Sequence, residues 1–484
     1  MNITAIRRPA KPAPRFEPQI PLVVDLDGTL LRTDTLIESL FGLARQKPLQ
    51  LLALPAWLLG GRAGFKQRLA RAAEIDISTM PVDEDVLAHL QAQRRQGRRL
   101  VLATAADERV ATAAARRFGL FDQVLASNGQ TNLSAERKRD RLVAEFGPRG
   151  FDYLGDSDQD LPVWAQARRA LLVRPSHRCR VRAARVAEIE QTFADGRPGI
   201  GDYLHAMRIS HWLKNLLVLL PLLVLPALAG AMMGKALLAF VAFSLSASGV
   251  YLLNDLFDLQ ADRAHPHKRQ RALASGRVPL LHGLLLVPVL WGLALGLAVA
   301  SASPLPWVLA GYTLLMVAYS MWLKHLAYLD AAVLGLGYSL RLLAGALAIG
   351  AAPAPGLLAC CAVYFFGLAL LKRYAELIAL GHRVSVHGQV RGYPVNRRRQ
   401  LWLVGVLAST VPIALLLAMP RQLALPARAT AGWLGCVLLL AWTGHMWRMA
   451  RAGRIEGDPV AYAVRDMPSR LLAALAGALL LAVA

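Results

Sequence analysis

Residues 254–271 read NDLFDLQADRAHPHKRQR, placing the amide of Asn254 and the carboxylates of Asp255, Asp258 and Asp262 just ahead of a burst of cationic side chains. At spacings of three and four, the acids share one face of a continuing helix. Gathered so closely they repel unless a cation sits among them, and oxygen ligands with spare coordination suit Mg2+ holding a pyrophosphate. A second acidic set opens near the amino terminus in VVDLDGTLLRTD, with Asp25 and Asp27, and returns in GDSDQD, with Asp156 and Asp160.

The elements that carry these two sets differ in kind. The chain has 484 residues, 55% of them hydrophobic, too many for an ordinary soluble enzyme. Residues 1 to about 200 mix charged and apolar types as a globular domain does, whereas from Trp212 onward long apolar stretches alternate with short basic loops. The net charge is +23, and the Arg and Lys of the second half sit in particular connecting loops and not along one amphipathic face, a pattern that membrane topology explains better than a nucleic-acid partner, so none is expected. Cys179, Cys360, Cys361 and Cys436 show neither metal-ligand spacing nor a disulfide framework.

Over residues 20–176, PLVVDLDGTL, RRLVLATAA and FDYLGDS read as strands separated by Ala- and Arg-rich helices, the pattern of a doubly wound α/β domain with a parallel sheet. An insertion at about 33–90 is too long for a simple crossover and reads as a helical cap. Within it, PLQLLALPAWLLGG, with Arg62 and Lys66 beside it, is either an interfacial segment on a membrane or a cap helix buried against the sheet. Residues 177–202 read as a linker.

Residues 203–484 read as an all-α membrane bundle of nine transmembrane helices, at about 213–232, 235–253, 279–300, 305–323, 329–350, 356–377, 401–419, 430–447 and 467–484. The connections after the even-numbered helices carry HPHKRQR, KH, HRVSVHGQVRGYPVNRRR and RMARAGRIEGDPVAYAVRD. The others carry little beyond Lys235, Arg421 and Arg428. The positive-inside rule puts the rich set in the cytoplasm of a bacterial-type inner membrane, with the carboxyl terminus outside. The opening MNITAIRRPAKPAPRF lacks the apolar core of a secretory signal, so the head is expected in the cytoplasm as well.

NDLFDLQAD resembles the Asn-Asp-x-x-Asp-x-x-x-Asp signature of the UbiA superfamily of intramembrane prenyltransferases, and YSMWLKHLAYLD, with Tyr319, Lys324 and Asp330, resembles that family's second motif. RISHWLKNLLVLLPLL, DRAHPHKRQRALASG, LRLLAGA and LKRYAEL are similar to one branch, the phosphoribosyltransferases that act on polyprenyl phosphates. The resemblance implies that Asp255, Asp258, Asp262 and Mg2+ hold the donor's pyrophosphate, with Asn254 beside them. It also implies that Lys214, Lys268, Arg269, Lys372 and Arg373 neutralise the phosphates of donor and lipid, and that Lys324 and Asp330 of the second motif bind substrate. Arg341, inside an apolar helix, needs a partner there.

VVDLDGTLLRTD carries the Asp-x-Asp-Gly-Thr signature of the haloacid dehalogenase superfamily, chiefly phosphohydrolases, and Thr104, Lys138 and GDSDQD follow in the expected order. The resemblance implies Asp25 as nucleophile on phosphorus and Asp27 as proton donor and later base. It further implies Mg2+ on Asp25, the Asp27 carbonyl and Asp156 with support from Asp160, while Thr104 and Lys138 serve the phosphate. Together the two resemblances imply a bifunctional membrane enzyme: phosphoribose passes from phosphoribosyl pyrophosphate to a polyprenyl phosphate, and the head removes the 5-phosphate. The alternative is transfer from a polyprenyl pyrophosphate to an aromatic acceptor, with an unrelated phosphatase head.

Overall fold

The computed structural model describes residues 20–193, 198–224, 229–352, 354–380, 389–390, 393–418, 426–455 and 458–483. The opening MNITAIRRPAKPAPRF, half of the loop 382–399 and Arg421 lie outside them. The chain divides into two compact units, Met1–Tyr203 with Asp258–His282, and Leu204–Phe257 with Gly283–Ala484.

The first unit is built on six parallel strands, β1 (Leu22–Val24), β2 (Leu100–Asp107), β3 (Gln123–Ser127), β4 (Asp152–Gly155), β5 (Arg169–Val173) and β6 (Glu188–Phe193), in the order β3-β2-β1-β4-β5-β6. Successive side chains leave opposite faces of the sheet, so the buried strands feed two cores. Leu22, Val24, Leu100, Leu102, Leu154 and Leu171 fill one; Val23, Val101, Ala103, Tyr153, Ala170 and Leu172 fill the other. The order reverses at β1, with β2 on one side and β4 on the other, which opens the crevice beyond the carboxyl ends of these strands where α/β proteins place ligands.

Only three of the six strands were expected. The expected linker 177–202 contains a helix, His177–Val186, and then β6, paired in parallel with β5. β6 is an edge strand, EIEQTF, exposed along much of its length, so it lacks the apolar run that marks a buried strand. Between β1 and β2 lie the helices Thr35–Gln46, Leu54–Leu59, Gly61–Ala72 and Glu84–Arg95. Asp34 caps the first, accepting from the amides of Leu36 and Ile37. In the stretch that left two readings open, Leu51, Leu54 and Trp57 pack on Leu43 and Leu69 of the neighbouring cap helices, while Leu49, Leu52 and Leu59 are more than four-fifths exposed.

The second unit is helical. Among the described residues, five helices are long and apolar enough to cross a membrane: Met232–Phe257, Leu280–Ala300, Leu329–Ala348, Pro355–Ala379 and Arg398–Ala418. Leu285, Val289 and Leu293 recur every fourth residue on one exposed face, as do Leu403, Leu407, Val411 and Leu415. Such apolar outer rows suit hydrocarbon. On inner faces glycines let backbones touch: a Cβ at Gly335 would lie 2.4 Å from the Ala362 carbonyl, and one at Gly345 1.9 Å from that of Val218. The first expected span, 213–232, begins as a 3-10 helix, Ile209–Leu219, followed by Leu220–Val224. The helix bearing Asn254 and Asp255 ends at Phe257, and Asp258 (φ −97°, ψ 10°) leads a separate turn, Leu259–Ala264. The expected single helical face for the three acids is therefore interrupted, at a residue of low helix propensity.

Candidate active sites

The crevice at the head of β1 gathers most of the amino-terminal acids. Asp25 follows the strand directly and its amide donates to the Leu154 carbonyl at 2.9 Å, which ties it to β4. Asp156 follows β4 in the same way. Ligand oxygens of Asp25, Asp156 and Asp160 lie within 4.8 Å of one another, an all-oxygen set that fits Mg2+. Gly28, at φ +75°, is needed beside them, because a Cβ there would stand 2.5 Å from Asp156 Oδ2.

Lys138, on the helix Ala135–Phe146, donates to Asp25 Oδ1 and to the Tyr153 hydroxyl, both at 2.8 Å, and lies 3.6 Å from Asp160. Tyr153 in turn donates to Asp160 Oδ1 at 2.8 Å, while Asp160 Oδ2 accepts from the amides of Asp156 and Ser157. Burial raises the Asp25 pKa to about 6 against the opposing charge of Lys138. Burial also disfavours the Lys138 cation, but Asp25 and Asp160 outweigh it and raise its pKa.

Asp27 stands apart from this cluster. Its carboxylate accepts from the Thr35 amide at 2.9 Å and the Thr35 hydroxyl at 3.1 Å. Burial, then Asp34, push its pKa up to about 7. Thr104, buried on β2, accepts from the Ala106 amide through Oγ1, which leaves its own hydrogen to donate. Asp25, Asp27, Thr104, Lys138, Asp156 and Asp160 all line one cavity of about 1010 Å3.

The carboxyl-terminal residues fall into several groups. Asp255 pairs with Arg208, whose guanidinium also lies over the Tyr251 ring. Lys324 Nζ donates to Asn254 Oδ1 at 3.3 Å. Lys214 Nζ meets Asp458 Oδ2 at 3.1 Å. Burial works to raise the Asp458 pKa, but Lys372 and Lys214 overcome it and hold the carboxyl down to about 2. Arg373 and Asp330 form a buried pair at 2.7 Å, joined by the Tyr393 hydroxyl and Glu376, so these two satisfy each other. Arg341 donates to Asn215, the Gly337 carbonyl and the Tyr312 hydroxyl, and lies about 5 Å from the ring centres of Phe243, Tyr312 and Tyr338.

Asp258 and Asp262 belong to the first unit, with Lys268 and Arg269 on a short 3-10 turn. Asp262 is buried against Arg271 at 2.5 Å. Sequence reasoning missed Tyr153, Arg208 and Asp458 as site residues. Tyr153 reads as strand core; Arg208 and Asp458 meet their partners 47 and 244 positions away. It also missed Lys66, which reaches the same cavity from the cap and donates to the Ala105 carbonyl at 2.7 Å.

The UbiA prenyltransferase family matches residues 216–463, and the haloacid dehalogenase-like hydrolase family matches residues 22–164. A protein of Sinorhizobium fredii, y4nM, is 35% identical over 474 residues, covering 95% of this chain and 90% of its own length. A decaprenyl-phosphate phosphoribosyltransferase of Mycolicibacterium smegmatis is 32% identical over 309 residues, covering 59% of this chain and 93% of its own. A UbiA homolog from Archaeoglobus fulgidus, solved with GPP and Mg2+, covers 58% of this chain and 99% of its own, at 17% identity and a TM-score of 0.42.

Proposed function

The chain belongs to the UbiA prenyltransferase family and carries a haloacid dehalogenase-like domain at its amino terminus, and from that premise we propose two consecutive reactions on one lipid. In the first, an oxygen of a polyprenyl phosphate attacks C1 of phosphoribosyl pyrophosphate and pyrophosphate departs. In the second, the head removes the 5-phosphate and leaves a lipid-linked ribose. One observation carries the reading: the clustered acids Asp25, Asp156 and Asp160, in a haloacid dehalogenase-like domain, precede a region that aligns with a decaprenyl-phosphate phosphoribosyltransferase along 93% of that protein.

In the head, Asp25 attacks phosphorus, and the proton on Asp27 passes to the departing ribose oxygen; Asp27 then takes a proton from the water that splits the aspartyl phosphate. Lys138 holds Asp25 in place and balances its charge, and Thr104 donates to a phosphoryl oxygen. Asp25, Asp156 and Asp160, with the Asp27 carbonyl, would hold Mg2+, which would supply positive charge to offset the repulsion between nucleophile and phosphate. In the carboxyl-terminal half, Asp255, Asp258 and Asp262 would hold Mg2+, which would offset the charge of a leaving pyrophosphate, with Asn254 and Lys324 beside them. Lys214, Lys268, Arg269 and Lys372 contact phosphates of donor and lipid. Nine helices cross a bacterial inner membrane, with both sites cytoplasmic and the carboxyl terminus outside.

Mass spectrometry of lipids after incubating the purified chain with phosphoribosyl pyrophosphate and polyprenyl phosphate tests the scheme. The wild type yields lipid-linked ribose, and Asp25→Asn accumulates the same lipid heavier by one phosphate. An unchanged product from Asp25→Asn overturns the second step. Transfer of label only from a prenyl pyrophosphate to an aromatic acceptor overturns the first.

A further inference from the structure

The cavity that holds Asp25 is larger than a phosphate requires. Its volume of about 1010 Å3 reaches the upper end of the range for small-molecule sites. Among the cations on its wall, Arg32, in the loop between β1 and the helix Thr35–Gln46, and Arg174, just after β5, have no part in the hydrolytic steps. Arg174 Nη2 donates to the Gly28 carbonyl at 2.8 Å, and its Nε lies 3.4 Å from Asp83 Oδ2 without a hydrogen bond. The Nε of Arg32 is also buried with no hydrogen-bond partner.

Both side chains line this one cavity; burial first, and then the charge of Arg32, lower the Arg174 pKa, while Asp83 works to raise it. Like charges held together beside a cavity gain most from an anion between them. The cap completes the wall with Leu36, Ile37, Leu58 and Phe65, apolar surface that a sugar phosphate alone does not use.

We propose that Arg32 and Arg174 form a second anion subsite, so that the preferred substrate is a phosphomonoester carrying a second phosphate that hydrolysis leaves intact, with any apolar substituent lying against the cap. The proposal rests on the phosphohydrolase reading of this cavity and names its substrate class. In the reaction the P–O bond of the monoester breaks, water supplies the oxygen that phosphorus keeps, and the freed hydroxyl takes the proton. The second phosphate is held and not attacked.

Full-length protein in detergent micelles, assayed for phosphate release from ribose 1,5-bisphosphate, ribose 5-phosphate and p-nitrophenyl phosphate, provides the test. The wild type favours the bisphosphate over ribose 5-phosphate by about tenfold or more in kcat/KM, the value of one charge-assisted hydrogen bond. Arg32→Gln and Arg174→Gln each cut that preference severalfold, chiefly through KM, and Arg174→Lys restores part of it. A wild type without preference, or variants that lose all three substrates in parallel, would overturn the subsite. A wild type that prefers the bisphosphate but leaves lipid-linked phosphoribose intact keeps the subsite and overturns the lipid scheme. Failure to hydrolyse any of the three overturns the phosphohydrolase reading and the subsite with it.

Discussion

Arg263 donates to Glu38 at 2.6 Å, and both side chains are almost wholly buried. Glu38 sits on the first helix after β1 and also accepts from the Thr33 hydroxyl at 2.5 Å, while Arg263 Nε donates to the Ala274 carbonyl. The segment that follows the Asp255 motif is thus packed as part of the amino-terminal unit, 225 positions away from its partner. Removing one member of a buried pair strands the other, so Glu38→Ala lowers stability by about 3–5 kcal/mol. Joint replacement by Leu and Met recovers much of the loss, as thermal melts of the full chain will report.

Lys138 is the only cation that contacts both Asp25 and Asp160 among the described residues. Lys138→Met leaves two buried carboxylates facing each other, and p-nitrophenyl phosphate hydrolysis falls by about 100-fold or more. Transfer to lipid, measured in the same preparation by mass spectrometry, persists.

Gly28→Ala must place a Cβ at φ +75° and 2.5 Å from Asp156 Oδ2. The left-handed backbone costs about 1–2 kcal/mol, and the carboxylate must move. Phosphatase activity is then expected to need a higher Mg2+ concentration for half-maximal rate, read from a Mg2+ titration. An unchanged titration curve counts against Asp156 as a ligand.

Asp458 lies far along the chain from Lys214, yet holds it at 3.1 Å. Asp458→Asn keeps the shape and removes the counter-charge, leaving Lys214 and Lys372 to repel. Lipid product is expected to fall by about tenfold, the scale of one charge-assisted contact, while p-nitrophenyl phosphate turnover continues. Quantitative mass spectrometry of the lipid fraction checks it.

His89 packs edge-on against Phe193, and its Nε2 is buried without a hydrogen-bond partner. Burial first, then Arg98, lower its pKa below the ordinary value of 6.5. The unfolded chain therefore binds a proton that the folded one refuses, and stability contributed by neutral His89 is present above pH 6.5 and lost as pH falls below it. Melting temperatures of His89→Phe should lose this part of the pH dependence.

The phosphohydrolase set was legible because each of its residues is tied to a strand end: Asp25 after β1, Thr104 on β2 and Asp156 after β4 need only a parallel sheet to converge. Tyr153 was not legible, since a buried strand tyrosine reads as core until its hydroxyl is found between Lys138 and Asp160. β6 hid for the opposite reason: an edge strand has one neighbour and little to bury.

The chain by itself settles the classes of chemistry, because acid spacing and long apolar runs are local properties that survive without a fold. It also marks where the long apolar runs lie and in what order the motif acids come. Pairing belongs to tertiary structure alone. That Arg208 meets Asp255, that Arg373 is consumed by Asp330, and that Arg263 is buried against Glu38 depend on contacts between distant positions. A charge brought out of water is tolerable only beside a specific partner, and composition cannot say which partner the packing brings.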